Sequence, residues 1–270
     1  MAPRRGLDQE ERKEVDERRS VRAPVLYEVK RQEGEEELRR PVVSLWWSGV
    51  AAGLAISASV YCEAFFNLHL PDESWRPLVG NLGYTVGFIL VILSGFQLFT
   101  EQTVTAILPL LSNRTLDNLI RTARLWSVVL IANLVGAFAA AAFGALSPAT
   151  VPEQLAAFIE ISRHFAEKGF VELLLLGVPA GFLIAALSWM LPNSEGSKFW
   201  VILLITYVIA LGDFAHVVAG SVEVFILVIA GQISLVNGFG AVLLPALIGN
   251  ILGGTVLFSL IAYAQVQEEM

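Results

Sequence analysis

Leu211-Gly-Asp-Phe-Ala-His-Val-Val-Ala-Gly-Ser-Val222 sits inside an apolar run from Phe199 to about Gly231. That run is too long for one straight membrane span, since ~20 residues cross the hydrocarbon core. Near its middle stand Asp213, His216 and two glycines, Gly212 and Gly220. Ionisable groups at that depth are costly and usually face a cavity, so they mark a pathway. The glycines let the helix unwind there, and unwound backbone survives in a membrane only where it lines protein or water. The stretch reads as the broken helix of a channel or transporter. The competing reading is a kinked helix whose histidine is tied up in a structural hydrogen bond.

Composition agrees with a membrane setting. The chain is 55% hydrophobic and 16% charged with mean hydropathy +0.64, values of a polytopic membrane protein rather than a soluble enzyme. Charge is concentrated at one end. Residues 1–40 hold 11 Lys/Arg and 11 Asp/Glu, leaving 7 basic and 14 acidic residues for the rest. A solvated tail, 1–40, read as charged helix or disorder, therefore precedes a membrane domain, 41–270. Its basic residues alternate with acids, which excludes a nucleic-acid surface. The single cysteine, Cys62, excludes a disulfide framework and Cys-based metal sites. The start lacks an apolar h-region, so no cleaved signal peptide is expected.

Taken in order, the first span runs from about Val42 to Phe66, opened by Pro41 and flanked by the interfacial Trp46 and Trp47. A second apolar run, Leu78 to Leu110, is also overlong and is interrupted by Ser94-Gly-Phe-Gln-Leu-Phe-Thr-Glu-Gln102. A loop with Arg114, Arg121 and Arg124 leads to span three, about Leu125 to Leu146. The connection Ser147–Gly169 reads as polar, and span four as Phe170 to Leu191. The broken run is the fifth crossing, and the last covers about Phe239 to Ala264. Six crossings put the basic tail, the arginine loop and Lys198 on one side, so both termini are expected in the cytoplasm.

The two interrupted runs are the second elements of two three-crossing halves. Gly95 and Gly212 open the interruptions, and Asn133-Leu-Val-Gly136 and Asn250-Ile-Leu-Gly253 follow, each 38 residues on. An inverted repeat with broken helices at matching positions points to a site near the midplane. The fold class expected is all-α integral membrane, six crossings as an inverted 3+3 repeat with broken second and fifth helices. The Asn-x-x-Gly elements read as close helix packing, because small residues let membrane helices approach.

With both breaks in view, the chain resembles the formate/nitrite transporter family from about Val42 to its C-terminus. Leu98-Phe99-Thr100 is similar to that family's loop in the second crossing. Lys198 to His216 fits its fifth-crossing lead-in, ending in Phe214-Ala-His216 where formate channels have Phe-Glu-His. Gly83-Tyr-Thr-Val-Gly-Phe88 and Gly212 to Phe225 are most similar to a divergent, little-characterised inner-membrane branch. The resemblance implies a homopentamer with a pore in each protomer, in the inner membrane. It implies small monovalent anions or their acids as substrates, and no cofactor. It also implies roles: His216 as the central histidine, Thr100 as its hydrogen-bond partner, and Leu98 and Phe99 as the cytoplasmic constriction. Tyr84 and Ile209 fall at the periplasmic constriction, where formate channels have phenylalanines. Ala215 replaces the glutamate before the histidine and Gly220 replaces an asparagine. The family's periplasmic lysine aligns near Phe165, so Lys168 or His164 would have to substitute for it.

The chemistry of these residues suits a weak acid. A bare anion in an apolar constriction is costly, and a protonated acid avoids much of that cost. An imidazole titrates in the right range to hold or lend the proton. Half-helices beginning after each break would aim N–H groups and a positive dipole end at the cavity. Asp213 and His216, three apart, share a helical face and could touch. Asp213 could equally cap the broken end or reach a neighbouring protomer. Glu101 reads first as a cap or loop anchor, Glu223 sits in a similar setting, and Glu63 and Glu172 read as groups reaching the interface. The competing classes are a neutral-solute channel and a pentameric scaffold that no longer transports. An enzyme is disfavoured, because only His69, His164 and His216 are present, with no HExxH spacing.

Overall fold

The computed structural model describes residues 22–269. Among the described residues, five helices are long and apolar enough to cross a membrane: Val42–His69 (α2), Arg76–Leu93 (α3), Leu116–Leu146 (α6), Phe170–Asn193 (α8) and Leu235–Val266 (α11). Before them lies Ala23–Arg39 (α1). Phe99–Thr105 (α4) and Ile107–Ser112 (α5) follow the first break. Pro152–Ala166 (α7) lies between α6 and α8, and Lys198–Leu211 (α9) and Val217–Ile229 (α10) flank the second break. The part of the expected tail before residue 22 lies outside the described residues.

Small residues set the helix pairs. Gly49 and Gly53 of α2 lie against Ala132, Asn133 and Ala137 of α6, so close that a Cβ at Gly53 would overlap the Asn133 carbonyl. Gly177 and Gly181 of α8 make the same approach to Gly249 and Asn250 of α11. Lipid supplies no hydrophobic drive between helices, so such contact packing is what holds them.

The breaks are built alike, though only the first is built around the glycine expected. Each leading helix ends in a turn where a backbone N–H reaches five residues back: Phe96 to the Val91 carbonyl and Phe214 to the Ile209 carbonyl, both at 3.0 Å. That closure needs a left-handed residue just before it. Gly95 supplies it in the first break with φ 66°, but in the second the residue is Asp213, with φ 52°. Gly212 keeps an ordinary φ of −80°. The counterpart of Gly95 is therefore Asp213.

Three further elements differ from their expected bounds. The connection after α6 is mostly helix α7, whose buried Ala157, Phe158, Ser162 and Phe165 occupy one face. Helix α6 starts at Leu116, nine residues early, because Thr115 caps it by accepting from the Asn118 N–H at 3.2 Å. Arg121 and Arg124 thus belong to the helix rather than to a loop. The last crossing begins at Leu235 and carries two π-helical stretches, Gly238–Leu243 and Leu252–Ser259. The second of these turns Thr255 and Ser259 towards the Thr103 carbonyl of α4, at 2.7 and 3.4 Å.

Helix α1 lies across α4 and α5. Tyr27 Oη shares a 2.7 Å hydrogen bond with Ser112 Oγ, and Gly34 abuts the Thr105 carbonyl and Pro109. Arg124 of α6 donates to the Leu38 carbonyl at 2.6 Å.

Candidate pore site

Non-helical backbone inside a membrane must have its polar groups satisfied by protein. Two asparagines do this. Asn133 Oδ1 accepts from the Phe99 N–H at 2.9 Å, and its Nδ2 donates to the Gly49 and Gln97 carbonyls at 2.9 and 2.8 Å. Asn250 Oδ1 accepts from the Val217 N–H at 2.9 Å, and its Nδ2 donates to the Gly177 and Ala215 carbonyls at 2.9 and 2.7 Å. The remaining N–H groups of Gln97 and Ala215 donate to Ser48 Oγ and the Leu176 carbonyl. The glycines of the two Asn-x-x-Gly elements pack as expected, while their asparagines pin the breaks. The sequence hid this because each partner lies more than thirty residues away.

The pinned breaks bring Thr100 and His216 together. Thr100 Oγ1 and His216 Nε2 are 2.7 Å apart, with both residues buried. His216 caps α10, its Nδ1 accepting from the Ala219 N–H at 3.2 Å. With Nδ1 an acceptor, the hydrogen of a neutral ring is on Nε2 and donates to Thr100. Phe88 meets the imidazole edge-on with centroids 5.0 Å apart, and Tyr84 packs on Phe88 at 5.2 Å. Leu98 and Phe99 are buried on the α4 side, and Ile209 is buried at the end of α9.

On the other side of His216 lies a cavity of about 60 Å³, room for a few water molecules. Tyr84, Ile209, Phe165 and Gly220 line it, as do Glu63 and Glu223. It opens past Asp213 and His164 into a vestibule of about 1000 Å³. Asp213 does not contact His216. Its left-handed turn sends the carboxylate outward, where Oδ1 accepts from Lys168 Nζ at 2.9 Å and Oδ2 lies 3.0 Å from His164 Nε2.

Glu63 and Glu223 were not recognised as cavity residues. A signal existed for Glu223: His216, Gly220 and Glu223 are spaced i, i+4, i+7 and share one helical face. Glu63 had no such signal, since its side depends on how α2 meets α3. Among the described residues no group of three or more His, Cys, Asp or Glu side chains could hold a metal ion.

The family model described as formate/nitrite transporter matches residues 25–264. The chain belongs to the formate/nitrite transporter family. It is 41% identical over 258 residues to inner membrane protein YfdC of Escherichia coli (strain K12), across 95% of this chain and 83% of that protein. Its fold is similar to an FNT family ion channel, with TM-score 0.75 and 21% identity, covering 89% of this chain and 96% of that one. A pentameric formate channel with formate bound is also similar, at TM-score 0.68 and 20% identity over 84% of this chain and 98% of that one. The chain is thus a multi-pass helical membrane protein of a family of channels and transporters, not of enzymes.

Proposed function

We propose that this protein is a pore for small monovalent anions or their conjugate acids, of the formate, nitrite or hydrosulfide kind. In this reading it is a homopentamer in the inner membrane, each protomer an inverted 3+3 repeat of six crossings with both termini cytoplasmic. The charged tail, 1–40, precedes the pore domain, 41–270. The reading is carried by the 2.7 Å contact between Thr100 and His216, a polar pair set in apolar surroundings. Neither the Thr100 hydroxyl hydrogen nor the second lone pair of its oxygen has a partner among the described residues, so the pair can bond a solute oxygen. Leu98 and Phe99 act as the inner constriction, Tyr84 and Ile209 as the outer one. Asp213 and Lys168 set the charge at the mouth, and protonation at His216 aids passage.

The test is uptake into proteoliposomes across formate, nitrite, hydrosulfide, acetate and neutral solutes, with His216→Asn as the variant. Asparagine is a good helix cap, so assembly should persist. It does not titrate between about pH 5 and 8, so the pH dependence or selectivity of flux should be lost. A well-assembled His216→Asn pentamer with an unchanged pH profile removes the histidine from the mechanism.

A further inference from the structure

The outer approach to His216 is acidic. The vestibule is lined by Glu63, Asp72, Glu73, Glu153, Glu160 and Asp213, against Arg76 and His164. Arg76 is engaged by Asp72 at 3.3 Å. A bare anion would meet repulsion along this path. Deeper in, Glu223 is only 6% exposed, and no donor among the described residues bonds its carboxylate. It lines the small cavity with Glu63, and among the described residues no lysine or arginine lines that cavity. The groups facing it are Glu63 from α2, Tyr84 from α3, His164 of α7 and Lys168 just beyond it, and Asp213 and His216 from the break.

An unpaired carboxylate in such a place requires a positive partner. A proton or a cation would serve. Calcium takes six to eight oxygen ligands and magnesium a near-ideal octahedron. Here three carboxylates and one phenol stand among Ile209, Phe165 and Phe214, and one of the three, Asp213, is already engaged by Lys168 and His164. The wall suits a proton.

We infer that Glu223, with Glu63 beside it, is a proton-loading site that hands a proton to the incoming anion before it reaches His216. This rests on the weak-acid reading above and names where the proton is taken up. The step balances: the Glu223 carboxyl gives its O–H proton to the anion, leaving a carboxylate and a neutral acid. The acid passes the Thr100–His216 pair and dissociates inside. Water in the vestibule then returns a proton to Glu223. Transfer between carboxyl and carboxylate joins groups of similar acidity, the condition for easy exchange. His216 acts after this step, where the acid meets the Thr100–His216 pair.

The experiment uses the reconstituted pentamer with a pH dye inside the vesicles, and the variants Glu223→Gln and Glu63→Gln. Wild type should move one proton with each formate, and Glu223→Gln should slow pH-driven uptake about tenfold or more. Its pentamer yield should be unchanged, and Glu63→Gln should show a smaller loss. Infrared spectroscopy of the same samples should show a protonated-carboxyl band that is missing in Glu223→Gln and shifts when formate is added. Normal flux and pH profile in Glu223→Gln overturn the proposal. So does uptake that requires sodium or ammonium in wild type but not in Glu223→Gln, which would make the cavity a cation site. If wild type moves none of the acids, the pore reading fails by itself, and the infrared band still decides for Glu223. A band that shifts with formate supports proton loading, and its absence ends it.

Discussion

The ring of Phe165 lies where a side chain on Gly220 would stand: a Cβ built there overlaps the edge of the ring. Phe165 comes from α7 and Gly220 from α10, so one contact between them shapes the wall of the outer cavity. The two residues fit each other.

Gly220→Ala should therefore cost about 1–3 kcal/mol of stability by overpacking. Adding Phe165→Ala should restore part of it, because the two share one volume and cannot behave additively. Thermal denaturation of the detergent-solubilised single and double variants reads this directly. Equal stability of Gly220→Ala and wild type would show that the ring swings aside at no cost.

Asp213 offers a second test, since it holds a left-handed turn while bonding Lys168 and His164. Aspartate, asparagine and glycine tolerate that conformation better than other residues. Asp213→Ala should cost about 1–3 kcal/mol through backbone strain. Asp213→Asn should cost less, because the half-exposed ion pair it loses is worth about 1 kcal/mol or less. Should alanine prove as stable as asparagine in a thermal-shift series, the turn is not what selects the residue.

The asparagine latches predict larger effects. Asn133→Ala or Asn250→Ala leaves one N–H and two carbonyls without their buried partner, at about 1–3 kcal/mol for each group left unsatisfied. Either variant should lose pentamer yield on native mass measurement, and the two should fail to a similar degree. A full yield from one of them would show that its break is held by packing alone.

Much of this was legible in the sequence. Pro41 opened the first span, and the overlong runs around Gly95 and His216 announced both breaks. What was not legible has physical reasons. Helix α7 hides because only one of its faces is apolar, with Glu153, Glu160 and Arg163 spread over the rest. The start of α6 hides because Asp117 and Arg121 pair at 2.7 Å along the helix, which lets charged residues stand where a loop is expected. At the second break Gly212 draws attention from Asp213, since glycine is the usual left-handed residue. Glu223 was legible in part, since its i, i+4, i+7 register with His216 and Gly220 becomes a shared face once α10 restarts at Val217. The contact of Thr100 with His216 was expected from resemblance, not from spacing.

The Arg31–Glu28 pair should not make α1 sensitive to mild acid. Arg31 grips Glu28 at 2.7 and 2.8 Å, and with Gln32 it holds that carboxyl at about 2, below its ordinary 4.5. A carboxyl lowered in this way stabilises the folded state above its ordinary value, and the contribution fades as pH falls through about 2. The difference in protease protection of α1 between wild type and Glu28→Gln should thus be flat from about pH 5 to 8, and Glu28→Gln should change stability by at most about 1 kcal/mol, the pair being partly exposed. Release of α1 within that interval would place another titrating group at its docking surface.

The two latches are made of amides and peptide groups alone. None of their atoms gains or loses a proton in ordinary buffers, and salt has little to screen there. The ionisable side chains, His216, Glu63 and Glu223, hang on a scaffold whose own bonds ignore pH. Acid or salt can therefore retune what passes without loosening the frame that holds the passage open. An investigator who finds flux changing with pH is watching the lining at work, not the walls coming apart.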